Sequence, residues 1–229
     1  MITQEENNVK LLSFPCKIEG IQNLNSDFLP SQFVSLIVGK PGSGKSFLMK
    51  NLVLHPSLFF KSFASVLILS PNPIVELECK LDENYKPIFD LPWIFLKISE
   101  LNRIETSKVI NVLIIFDDMI GELKKHQNDV LLMNLFFNRR HLLKNGTISF
   151  IITTQKYILT PVRIRSILTW VFVFKVMPTD WDKIKQECIF SENKILDVIV
   201  DHIFKQEYDF VNIRLDTSEI YYNFNRLKI

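Results

Sequence analysis

Cysteine is scarce and scattered. The three in 229 residues, Cys16, Cys79 and Cys188, are odd in number and lack CxxC spacing, which excludes a disulfide framework and a cysteine zinc site and suits a reducing compartment. The four histidines, His55, His126, His141 and His202, show no metal-ligand spacing either. No apolar run approaches the roughly 18 residues of a membrane span. The longest, near residues 167–176, is interrupted by Lys175. The first ten residues, MITQEENNVK, are polar and acidic, unlike a signal or transit peptide, so a soluble intracellular protein is expected. Neither charge sign dominates: 27 basic residues face 25 acidic ones for a net +2, and no Lys/Arg-rich tail is present. Any nucleic-acid contact must come from a local patch or from many copies acting together.

What is present reads as one globular domain. The chain is 47% hydrophobic and 23% charged, which excludes disorder, and its length has room for a large core but not for two full catalytic domains. Apolar runs at 33–38, 65–70, 112–116, 148–153 and 169–176 alternate with helical patterns at 46–55 and 129–144, with Gly146 just past the second. Runs this continuous suit strands buried on both faces of a parallel sheet. Helices are expected at 181–190 and 194–204, a terminal hairpin at 208–215 and 220–224, and an insertion or irregular loop at 76–100.

Glycine is also rare, yet three of the six fall within Gly39-Lys40-Pro41-Gly42-Ser43-Gly44-Lys45-Ser46, a match to GxxxxGK[ST]. At average residue usage such a match has a chance of about one per cent in a chain this long. A β-rich run precedes it and a helix follows, as the motif requires. Glycines let backbone N–H groups converge on phosphate oxygens, and the helix N-terminus adds positive potential. Lys45 would bridge the β- and γ-phosphates and the Ser46 hydroxyl would hold Mg²⁺; Phe47, next on the helix, completes the candidate nucleotide-binding set. The motif points to a nucleoside triphosphate with Mg²⁺ and leaves the choice between ATP and GTP open.

The run 112–116 ends in Asp117-Asp118, placing Asp117 to hold Mg²⁺ through water and Asp118 to polarise the attacking water. Paired aspartates also start turns, and Asp118-Met119-Ile120-Gly121 fits the DxxG of GTPases, although no NKxD follows. The next strand ends in Thr154-Gln155. As a parallel neighbour of the acidic strand it would bring Gln155 to the same sheet edge, near the γ-phosphate; a solvated loop glutamine is the plain alternative. Arg139 and Arg140 close the preceding helix, and Arg163 and Arg165 follow Pro161. Arg140 is the favoured candidate for an arginine presented to a neighbouring subunit's nucleotide, against solvent-facing or ion-paired roles for all four.

Taken together, Gly39 to Ser46, Ile115-Phe116-Asp117-Asp118, Arg140-His141, Thr154-Gln155 and Pro161-Val162-Arg163-Ile164-Arg165 resemble the FtsK–HerA superfamily of P-loop motors, and within it the genome-packaging ATPases of poxviruses, other large DNA viruses and virophages. The C-terminal Tyr208-Asp209-Phe210 and Tyr221-Tyr222-Asn223-Phe224 are similar in character. The resemblance spans about residues 30–225. It implies an α/β, RecA-like P-loop NTPase with a mainly parallel sheet flanked by helices, occupying 31–229 after an N-terminal extension of 1–30. It further implies a ring-forming homo-oligomer, hexamer or pentamer, that moves double-stranded DNA, with capsid proteins as a further partner and no membrane. The setting implied is the viral factory in the host cell cytoplasm, and the virion. Asp118 is one methylene shorter than the glutamate many superfamily members carry, so its action as base would run through a water.

Three functions remain distinguishable. A DNA-packaging ATPase fits the acids and the Thr-Gln strand end. A nucleotide or small-molecule kinase matches the size but needs an acceptor pocket and an arginine-bearing lid. A nucleotide-gated assembly module would release no phosphate, with or without DNA.

Overall fold

The computed structural model describes residues 3–5, 30, 32–74, 84–105, 107–189 and 204–228. The short apolar runs become strands because each side chain finds a hydrophobic neighbour above or below the sheet. In chain order the strands are β1 (Thr3–Glu5), β2 (Val34–Val38), β3 (Ser65–Leu69), β4 (Tyr85–Lys86), β5 (Val112–Phe116), β6 (Ile148–Thr154), β7 (Trp170–Phe174), β8 (Phe210–Arg214), β9 (Glu219–Tyr222) and β10 (Asn225–Lys228). They form one sheet in the order β1-β10-β9-β8-β7-β2-β6-β5-β3-β4. Strands β7, β2, β6, β5, β3 and β4 run parallel, and β8, β9, β10 and β1 continue the sheet antiparallel from β7. The expected C-terminal hairpin is therefore part of a longer meander that widens the central sheet.

The two faces divide by strand alternation. On one face Leu36, Leu67, Ile114, Phe150 and Val171 pack beneath α2 (Leu91–Asn102), α4 (Val130–Phe137) and α6 (Pro178–Cys188). On the other, Ile37, Ile68, Leu113, Ile151 and Phe172 pack with Leu48, Met49 and Leu52 of α1 (Lys45–Leu54). Two shorter helices, α3 (Ile120–Lys125) and α5 (Val162–Arg165), follow β5 and precede β7. The apolar sequence of β2, β5 and β7, broken only at Ser35, is what burial on both faces demands.

The structure corrects two expectations. Part of 76–100 is the regular helix α2: Asp90 caps it by accepting from Trp93 N at 2.8 Å, Pro92 lies in its first turn, and Leu91, Ile94 and Ile98 form its buried stripe. The helix expected over 129–144 ends instead at Phe137, with Asn138 as its C-cap, so Arg139 and Arg140 lie in the turn beyond it. Asp129 does cap that helix, accepting from Leu131 N at 2.7 Å. The helix expected at 194–204 falls on residues that, Phe204 apart, lie outside the described ones.

Gly146 closes the turn into β6 at φ 153, where a Cβ would stand 1.9 Å from the Ile110 carbonyl oxygen. Because the obstacle is backbone tied to Asn145 O by Ile110 N at 2.7 Å, it cannot yield cheaply. Gly146→Ala is expected to destabilise the fold by about 3 kcal/mol. In a chain of this size that lowers the thermal midpoint by about 6–12 °C. A midpoint within about 2 °C of the parent in a calorimetric scan would contradict the clash.

Candidate functional site

The parallel strands all deliver their carboxyl ends to one edge, and three neighbours there carry the site. Strand β2 runs into the glycine loop, β6 ends at Thr154, and β5, on the far side of β6, ends at Phe116 before the acids. Gly39 N donates to Thr154 O at 3.1 Å, which stitches the loop to the Gln155 strand.

The loop closes through its own backbone: Ser43 N donates to Lys40 O at 3.2 Å and Leu48 N to Gly44 O at 2.8 Å. Gly44 stands at the N-cap of α1 with φ 97 and no side chain capping the helix, so the first-turn N–H groups keep their hydrogens for a ligand. Gly39 cannot carry a side chain, because a Cβ would lie 2.5 Å from Ser43 Oγ and 2.7 Å from Phe174 Cβ. The Ser43 hydroxyl is buried without a partner among the described residues, and an anion oxygen in the loop would supply one. Lys45 straps the loop, its Nζ donating to Gly39 O at 2.8 Å and Lys40 O at 2.9 Å. Burial lowers the Lys45 ammonium below its ordinary pKa while Asp118 and then Asp117 raise it, so both acids lie within electrostatic reach of the loop lysine. Ser46 and Phe47 lie exposed on the first turn of α1.

Asp117 is clamped. Thr153 Oγ1 donates to its Oδ1 at 2.7 Å, and Ser70 Oγ, at the end of β3, lies 3.1 Å from its Oδ2. Ser70 Oγ also lies 2.7 Å from Asn72 O, so its one proton is shared between that carbonyl and the carboxylate. Asp118 is exposed in the left-handed region at φ 54, and its N–H donates to the same Thr153 Oγ1 at 2.9 Å. Thr153 thus faces one acid as donor and the other residue's backbone as acceptor. Neither Thr153 nor Ser70 was singled out from sequence; the usable signal was a hydroxyl closing an otherwise apolar strand.

Gln155 is exposed one residue past β6, level with Gly39. The 3₁₀ turn after it, Tyr157–Leu159, is fixed by Tyr157 OH donating to Glu187 at 2.9 Å and by Ile158 N donating to Asp180 at 3.0 Å.

The arginines separate. Arg139 is buried, donating from Nη1 to Phe136 O at 3.1 Å; burial first and Arg140 second lower its guanidinium from the ordinary value. Arg165 lies 3.1 Å from Glu187 and stacks over the Tyr157 ring. Arg140 and Arg163 are exposed. Arg139 O accepts from Ile148 N, so Arg140 stands near the start of β6, about 20 Å along the strand from the loop and outside the local site. Among the described residues no group of three or more His, Cys, Asp and Glu could hold a metal. The donor set of one serine hydroxyl and one carboxylate suits a hard Mg²⁺ that keeps its waters and shares phosphate oxygens.

The Poxvirus A32 protein family matches residues 23–214. The chain belongs to that family. No curated protein sequence matches it. Its fold is similar to the genome packaging NTPase B204 from Sulfolobus turreted icosahedral virus 2 in complex with ATP-gammaS, at 14% identity and a TM-score of 0.59 over 85% of this chain and 97% of that one. B204, the DNA-packaging ATPase from Sulfolobus Turreted Icosahedral Virus, aligns at 16% identity and 0.58 over 84% and 97%. The cytoplasmic domain of the Thermomonospora curvata Type VII Secretion ATPase EccC aligns at 12% and 0.50 over 86% of this chain and 23% of that one. The mixed sheet of this Poxvirus A32 family chain is thus the P-loop ATPase fold expected from its motifs. Among the described residues no helix is long and apolar enough to cross a membrane.

Proposed function

We propose that this chain is the ATP-hydrolysing subunit of a motor that packages a viral genome by moving double-stranded DNA. The single observation that carries the reading is the convergence of the glycine loop on β2, Asp117 (clamped) and Asp118 after β5, and Gln155 after the intervening β6 at one sheet edge. Family membership and the fold shared with packaging NTPases support it.

In this reading the N–H groups of the loop and the Lys45 ammonium hold the β- and γ-phosphates of ATP. Ser46 Oγ and, through water, Asp117 hold Mg²⁺, which when bound neutralises charge developing on the phosphates. Asp118 draws a proton from the attacking water, and Gln155 orients that water against the γ-phosphate. Arg140, far from its own site, acts on the site of the next subunit in a hexameric or pentameric ring. A ring repeats modest contacts along the DNA backbone, so a net charge of +2 per chain suffices. Capsid proteins are the further partners, and the setting is the viral factory of the host cell cytoplasm.

The test is ATP turnover with and without linear duplex DNA, alongside mass in solution. Stimulation by DNA in an assembled species is expected. Turnover indifferent to DNA, together with phosphate transfer to a nucleotide acceptor, would replace the motor with a kinase. Mixing Arg140→Ala chains with Lys45→Ala chains is expected to restore part of the turnover each lacks. Absence of recovery at every ratio would remove Arg140 from the mechanism.

A further inference from the structure

On the side of β2 away from the acids, Gly44, Phe47, Leu48, Phe174, Tyr208 and Phe210 line a cavity of about 350 Å³. That volume suits a small-ligand subsite. Phe174 ends β7, and Tyr208 lies two residues before β8. Both rings lean on the glycine loop: Tyr208 Cδ1 is 3.2 Å and Phe174 Cε1 3.5 Å from where a Cβ on Gly44 would stand. Gly44 therefore belongs to the phosphate loop and to the cavity wall at once. Large aromatic surface faces the opening, with Tyr208 58% and Phe47 38% exposed. Tyr208 holds φ 74, a conformation rare for an aromatic residue. The interior packing of Phe210 against Phe174, centroids 5.4 Å apart, sets the floor.

We propose that this cavity is the nucleobase subsite of the nucleotide whose phosphates the loop holds, and that it takes a purine by stacking without reading its edge. The inference rests on the phosphate-loop reading above. Strand order supplies the direction. In β8-β7-β2-β6-β5 the acids lie on one side of the loop strand and the aromatics on the other. A nucleoside triphosphate with its γ end at Asp117 and Asp118 has its base over β7 and β8. Among the described residues the lining is a glycine, a leucine and four aromatics, whose ring faces cannot tell the 6-amino group of adenine from the 6-oxo group of guanine. They favour the wider ring of a purine over a pyrimidine.

Equilibrium binding of ATP, GTP, CTP and inorganic tripolyphosphate to the full chain tests this. ATP and GTP are expected within about threefold of each other and CTP about tenfold weaker. Tyr208→Asn keeps a residue that tolerates φ above zero, and Phe47→Leu keeps an apolar helix position. Each should weaken ATP and GTP about tenfold while leaving tripolyphosphate unchanged. ATP affinity unchanged in both variants, with tripolyphosphate still bound and competing, would place the base elsewhere and overturn the subsite alone. A preference between ATP and GTP above about thirtyfold would overturn reading by stacking. Failure of tripolyphosphate to bind the parent chain, or its equal binding to Lys45→Ala, would remove the phosphate loop and the subsite with it.

Discussion

Replacing Lys45 with alanine is expected to lower ATP turnover about 10³-fold or more. The Lys45 ammonium is the loop cation held ready on Gly39 O and Lys40 O. Hydrogen bonds from a charged donor are worth about 1.5–3 kcal/mol each. Losing two of them at the β- and γ-phosphates raises the barrier by about 4 kcal/mol, which is the thousandfold stated. The substitution also releases two loop carbonyls, so the variant needs a folding control. α1 keeps its buried Leu48, Met49 and Leu52, and alanine is a strong helix former, so the thermal midpoint should stay within a few degrees. Turnover of a folded Lys45→Ala chain within about tenfold of the parent would end the assignment of the loop as the phosphate site.

The second large effect belongs to Asp118. Asp118→Asn should keep nucleotide binding and slow hydrolysis about 10²–10⁴-fold, the range a positioned general base supplies. Asparagine is the informative choice because the residue sits at φ 54, where Asn and Asp are tolerated and alanine is strained. The backbone bond from residue 118 N–H to Thr153 Oγ1 survives the change, so the experiment removes charge and little else. Single-turnover measurements would separate chemistry from release. A rate constant within threefold of the parent would transfer the base role away from Asp118.

The motifs were legible because each depends on chemistry that few residue types can perform. Glycines at positions 39, 42 and 44 with the lysine and serine that follow are rare by chance, and the two acids closing an apolar run, which alone could be a turn start, took their meaning from that loop. Their relative placement was legible only in part: the strand ending before Gln155 was expected beside the acidic strand and lies there, but its position next to the loop strand as well was not read. Nothing local says that β6 lies between β2 and β5; that order comes from how helices on two faces share the sheet. Helix α2 was hidden for a different reason. Its segment is crowded with Trp93, Phe95 and Pro92, which blur the helical period, although Asp90 before Leu91 and Pro92 is a start signal in its own right. The overlong reading of α4 ignored that Asn138 can end a helix and that Arg139 turns inward to meet Phe136 O. Thr153 and Ser70 escaped notice because a hydroxyl at a strand end carries meaning only once its partner carboxylate is known. Strand β10 escaped because Asn225, Arg226 and Lys228 dilute its one apolar residue, Leu227.

The interposed strand has a mechanical consequence. Neighbouring strands stand about 4.8 Å apart, so the loop strand and the acid strand are separated by about 9.6 Å. Adjacent strands would press a carboxylate against the anion it serves, leaving no berth for a nucleophile. A gap of one strand is wide enough to seat a terminal phosphoryl group and one solvent molecule in line, with Gln155 rooted in the middle of the slot. In the proposed mechanism hydrolysis would change the filling of a slot whose walls and floor are three hydrogen-bonded ribbons, and the 3₁₀ turn braced by Glu187 and Asp180 lies just beyond Gln155 in the chain.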